Sequence, residues 1–130
     1  MSFLLDTDTC SGYVKNSPSV TRQVMLHFGG LWVSAVTHGE LLTWALRRSA
    51  PTDREQVVRD FLNACTVLDV TKPIAELFTQ IRANLLDRGI TVAAMDLFNA
   101  ATAITYNLTL VTHNTRDYQH IPGWTLDDWT

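Results

Sequence analysis

One stretch, ITVAAMDLFNAATAITYNLTLVTHNTRDY from Ile90 to Tyr118, restricts the possible folds more than any other. Leu97, Phe98, Ala100, Ala101, Ala103 and Ile104 predict a nearly all-apolar helix whose small residues suit close packing on a sheet. Asn107 suits the left-handed turn that ends such a helix. Leu108 to Thr112 is a short apolar run of the kind that forms a buried strand. A polar loop follows. An acid stands at each end of the unit, Asp96 and Asp117. A helix feeding directly into a buried strand belongs to an α/β fold, not to a bundle or a β-sandwich.

The rest of the chain repeats that alternation. Ser2 to Leu5 is read as the first strand, and Thr7 to Val14 as a helix capped by Thr7 or Asp8. Ser17 caps a second helix with Pro18 in its first position, and Gly29-Gly30 ends it. Leu31 to Ser34 is the second strand, and Ser34 caps a helix through Arg48. Thr52 and Glu55 have capping-box spacing for a helix to about Ala64. Thr66 to Val70 is the third strand, and Thr71 opens a helix closed by Gly89. After Tyr118 a Pro-Gly turn at 122–123 leads to a last short edge strand. The expected order is β-α-α-β-α-α-β-α-α-β-β, a three-layer sandwich with a mostly parallel sheet. With 130 residues and no linker, one domain spanning 1–130 is expected.

Composition narrows function mainly by exclusion. A formal charge of −3 argues against a protein that coats nucleic acid with basic surface, though not against an enzyme that meets it through bound cations. No segment approaches the roughly 18 uninterrupted apolar residues of a membrane span. The opening MSFLLDTDT has no basic n-region, so no signal peptide is expected and the cytoplasm is the default compartment. Cys10 and Cys65 are isolated and read as reduced core residues.

Four acids stand out once the elements are placed. Right-handed crossovers put the carboxyl ends of parallel strands along one edge, where α/β folds build their sites. Asp6 ends the first strand, Glu40 lies early in the helix after the second, and Asp117 lies in the loop after the strand at 108–112. Asp96 lies at a helix start, where backbone N–H groups favour an anion. Carboxylates a few ångströms apart repel by about 1 kcal/mol per pair in water and several times that near a protein surface. No basic residue adjoins Asp6 or Asp96 in sequence. Such oxygen donors suit Mg²⁺ or Mn²⁺, which keep open positions for phosphate oxygens, and the implied chemistry is phosphodiester hydrolysis. Alternatively, each acid is a separate cap or surface charge.

FLLDTDTCSGYV, VSAVTHGELLTWAL, AAMDLFNAATA and LTLVTHNTRDYQHIPGWTLDDW together resemble the PIN-domain ribonucleases, in particular the VapC-type toxins of bacterial toxin–antitoxin pairs. The resemblance covers the whole chain. It implies an acidic quartet of Asp6, Glu40, Asp96 and Asp117, with Asp6 and Asp96 as direct metal ligands and Thr112 and Asn114 as supporting polar residues. It also implies a homodimer, a VapB-like antitoxin whose complex binds DNA, and an RNA substrate. The closing segment is similar to the branch that cuts initiator tRNA in its anticodon stem-loop. Asp8 stands where the family often has Asn, as an added ligand or a solvent-facing cap. His38 beside Glu40 is a conceivable base or a flank residue, since i,i+2 residues do not share a helix face. Arg47, Arg48 and Arg116, with Lys15 and Arg82, are candidates to hold an RNA backbone. The competing expectations are a catalytically silent partner-binding module and a related DNA nuclease.

Overall fold

The computed structural model describes residues 2–121 and 125–130. Its elements are β1 (Phe3–Leu5), α1 (Thr7–Val14), α2 (Pro18–Leu26), β2 (Leu31–Ser34), α3 (Ala35–Leu46) and α4 (Arg54–Asn63). They continue with β3 (Thr66–Leu68), α5 (Lys72–Asp87), α6 (Ala94–Tyr106), β4 (Thr109–Val111), α7 (Thr115–Tyr118) and β5 (Thr125–Asp127). The sheet order is β3-β2-β1-β4-β5, and all four pairings are parallel.

Strand periodicity divides the core into two layers. Phe3 and Leu5 of β1 face α1–α4, packing with Cys10, Val24, Leu41 and Val58. Leu4 points the other way and packs with Leu97, Ala100, Ala103 and Leu110 under α5 and α6. Both faces of β1 are therefore buried, which explains its unbroken apolar run. The small residues of α6 let it lie close to the sheet: Ala100, Ala101 and Ala103 are fully buried.

Helix ends follow local chemistry, with four corrections. Asn107 ends α6 in the left-handed conformation (φ 53°) and Gly89 follows α5 at φ 72°. Ser34 Oγ accepts from the Thr37 N–H at 3.1 Å and caps α3. The cap of α1, however, is Asp6 and neither Thr7 nor Asp8: Asp6 Oδ1 accepts from the Thr9 N–H at 2.8 Å. Ser17 precedes α2 with Pro18 first, but its side chain makes no capping bond. The Thr52–Glu55 capping box does not form. The Arg54 N–H bonds to Pro51 O in a turn that delays the helix to Arg54, and Glu55 pairs with Arg59 at 2.9 Å instead. The fourth correction is α7, four residues inside the expected polar loop and too short to show a helical period. The expected edge strand is present as β5, whereas the Pro-Gly turn lies outside the described residues.

The backbone at Asn107 makes a direct test. Because a side chain with Cβ branching pays about 1–2 kcal/mol in the left-handed region, Asn107→Val should lower stability by that amount. Asn107→Gly should leave it unchanged or slightly higher, as read by urea denaturation midpoints.

Candidate metal-binding site

The carboxyl ends of β1, β2 and β4 meet at one edge, and each strand leaves a polar side chain there: Asp6, Ser34 and Thr112, all buried. Asp6 is 4% exposed. Burial is the largest influence on its carboxyl and raises its pKa, against hydrogen bonds from Thr112 and Thr9 that lower it. Asp96 occupies the first turn of α6. Its pKa is also raised, first by desolvation and then by the charges of Asp6, Asp117 and Glu40, while a hydrogen bond from Tyr118 opposes this. The four acids expected from sequence therefore share one electrostatic environment. Burial and these carboxylates push the Tyr118 hydroxyl well above its ordinary pKa, so it remains protonated beside Asp96.

Neighbouring side chains aim the outer acids. Thr7 Oγ1 donates to Glu40 Oε1 at 2.6 Å, joining α1 to α3. Asn114 Nδ2 donates to Asp117 Oδ2, and the Asn114 N–H donates to Thr112 Oγ1 at 3.0 Å. Thr112 thus touches both Asp6 and the loop that carries Asp117. Beneath them Ser34 Oγ donates to Asn99 Oδ1 at 2.5 Å, and Asn99 Nδ2 donates to Thr37 Oγ1 at 3.3 Å. This buried network pins α6 to α3.

Sequence reasoning missed Thr7, Asn99 and Tyr118. Asn99 carried a usable signal: it lies three residues after Asp96, on the same face of an otherwise apolar helix, where a polar group needs a partner. Asp8 is exposed, with its backbone carbonyl accepting from Ser11 Oγ, and only adds a minor charge against Asp6. The His38 Nδ1 is buried without a hydrogen-bond partner among the described residues. Arg47, Arg48 and Arg116 are exposed, as are Lys15 and Arg82.

Among the described residues no cation pairs with the acids. The ion pairs among the described residues, Arg59–Glu55 and His113–Asp128, involve none of the four. Nor do three of the acids close into a ready-made ligand cage among the described residues. An open set of oxygen donors with excess negative charge fits a hard divalent ion that retains water, and does not fit a tetrahedral nitrogen–sulfur site.

The PIN domain model matches residues 3–123. The chain belongs to the PIN-domain family, a family of nucleases. It is 35% identical to the tRNA(fMet)-specific endonuclease VapC of Salmonella typhimurium, over 99% of this chain and 98% of that protein. It is 34% identical to the tRNA(fMet)-specific endonuclease VapC of Shigella flexneri, over 100% and 99%. The crystal structure of DNA-bound VapBC from Salmonella typhimurium superposes with a TM-score of 0.92 at 34% identity, covering 100% of this chain and 99% of that one. The expected α/β sandwich is thus the PIN fold.

The raised carboxyl pKa values fix a pH dependence. Asp6 and Asp96 bind protons more tightly folded than unfolded, so their contribution to stability falls as pH rises from about 3.8 through the raised values. Asp6→Asn retains a good helix cap and removes the charge. In EDTA its Tm should exceed wild type by a few degrees at pH 7.5, a gap that closes toward pH 4. A Tm at or below wild type at pH 7.5 would contradict this electrostatic account.

Proposed function

We propose that this chain is a divalent-metal-dependent endoribonuclease, the toxin of a toxin–antitoxin pair. The observation that carries the proposal is that the charges of Asp6, Glu40 and Asp117 all bear on Asp96, with no ion pair to any of the four among the described residues. The relatives named tRNA(fMet)-specific endonucleases support RNA, and initiator tRNA within it, as the substrate. Solved VapBC complexes support an antitoxin partner and DNA contact through that complex. A homodimer and a cytoplasmic location complete the reading. Among the described residues no helix is long and apolar enough to cross a membrane.

Asp6 and Asp96 would hold Mg²⁺ or Mn²⁺, with Glu40 and Asp117 completing the acidic set. When bound, the ion polarises the scissile phosphate and acidifies the attacking water. Thr7 and Asn114 keep Glu40 and Asp117 turned toward the centre. Tyr118 keeps a protonated hydroxyl beside the Asp96 carboxylate. Thr112 ties Asp6 to the loop that carries Asp117. Arg47, Arg48 and Arg116 meet RNA phosphates around the acids, where their charges offset the repulsion between the site and its polyanionic substrate.

Asp96→Asn should lower cleavage of tRNA by at least about 100-fold, the scale of losing a principal electrostatic contact at a reacting centre. Excess EDTA should stop wild-type cleavage, and added Mg²⁺ or Mn²⁺ should restore it. Cleavage by Asp96→Asn at the wild-type rate, or EDTA-resistant cleavage, would refute the proposal.

A further inference from the structure

A groove of about 630 Å³ runs along α3 beside the acids. Val36, Gly39, Glu40, Trp44 and Met95 line it, and Arg47 lines it at the C-terminal end of the helix. Glu40 and Arg47 are seven residues apart on or beside one helix, about 10 Å along its axis. The lining is mostly apolar, with the Glu40 carboxylate partway along it and the Arg47 guanidinium at the C-terminal end of the helix. Arg47 also borders a second cleft with Arg48 and Ser49, so the basic end continues past the helix.

Three features make this groove suited to a ligand. Met95 immediately precedes Asp96 and is 49% exposed, a flexible apolar side chain beside the acidic centre. The Arg54 guanidinium lies 4.0 Å from the Trp44 ring centroid, which holds the indole as a fixed wall. Gly39 is the third. It lies inside α3, where glycine is less favourable than alanine. Its backbone has no positive φ, and a Cβ built on it meets nothing within 4 Å. Neither conformation nor packing within the chain calls for glycine there. The space it leaves opens into the groove next to Glu40.

We propose that this groove is a base subsite, taking one unstacked nucleobase of the RNA strand next to the scissile phosphate. Gly39 provides the floor, Met95 and Trp44 the walls, and Arg47 holds the phosphate beyond that base. The inference rests on the nuclease reading above and deepens it. An apolar slot explains how an acidic centre binds a polyanion: contact with the base face adds affinity that does not depend on charge. Single-stranded loops supply bases that are free to enter it.

The test couples a filled groove to a missing base. Gly39→Leu places a side chain in the slot, and helix propensity favours the substitution. Once wild-type cleavage of an RNA hairpin has been mapped, hairpins carrying one abasic nucleotide on either side of the cut are compared. Wild type should lose roughly 10-fold or more in kcat/KM at one of the two abasic positions. Gly39→Leu should lose a similar factor on intact RNA and be insensitive to removal of that same base. Independent, multiplicative losses, or full activity of Gly39→Leu, would overturn the subsite. So would a change in oligomeric state by light scattering that accounts for the loss, since the groove would then be an interface between copies. Asp96→Asn run in parallel separates the two levels. If it is inactive while Gly39→Leu is unimpaired, only the subsite fails; if it is fully active, the nuclease reading fails first.

Discussion

Repulsion among carboxylates is the constraint around which this molecule is arranged. Asp6, Glu40 and Asp117 each make Asp96 harder to ionise, and burial adds to the effect at Asp6 and Asp96. A fold gains nothing in stability from assembling such a group, because uncompensated buried charge is costly. Parallel topology makes the assembly unavoidable: every strand ends at the same edge, so residues far apart in sequence arrive together. Asp6 carries two tasks there. It caps α1 through the Thr9 N–H and faces the acidic centre, so the first turn of the helix and the site are one structure.

The polar residues beneath the acids hold the arrangement in place. Asn99 bridges Ser34 and Thr37, linking α6 to the start of α3. Thr7 and Asn114 each restrain one of the outer acids, while the protonated Tyr118 hydroxyl lies beside Asp96. Buried polar networks of this kind rigidify a site only when their members are satisfied. Here the donors come from α1, α3, α6 and the loop after β4, so the geometry of the acids depends on the packing of every layer around β1.

Much of this was legible in the sequence, because its strongest signals were local. Ser34 before an apolar helix, Asn107 after one and the uninterrupted FLL of β1 each have one dominant physical reading, and each takes that conformation. The place of Asp6 was legible because it directly follows an apolar strand. Failures occurred where two local options competed. Asp6, Thr7 and Asp8 are all good caps, and strand pairing of β1 with β4 decides for the residue that directly follows the strand. Thr52 and Glu55 had capping spacing, but a turn at Pro51 and the Arg59 guanidinium claimed the residues first. Tyr118 is invisible as a site residue without tertiary contacts, since its role is set by what lies across from it, whereas Asn99 was marked only by its place on the Asp96 face of an apolar helix.

The central claim is that the gathered carboxylates form one cation site. Anomalous diffraction from Mn²⁺-soaked crystals tests it most directly. The account predicts one or more peaks bounded by Asp6 and Asp96, with carboxylate oxygens at about 2.1 Å, and their loss from crystals of Asp96→Asn. Manganese bound only elsewhere, or equally well without the Asp96 charge, would contradict it.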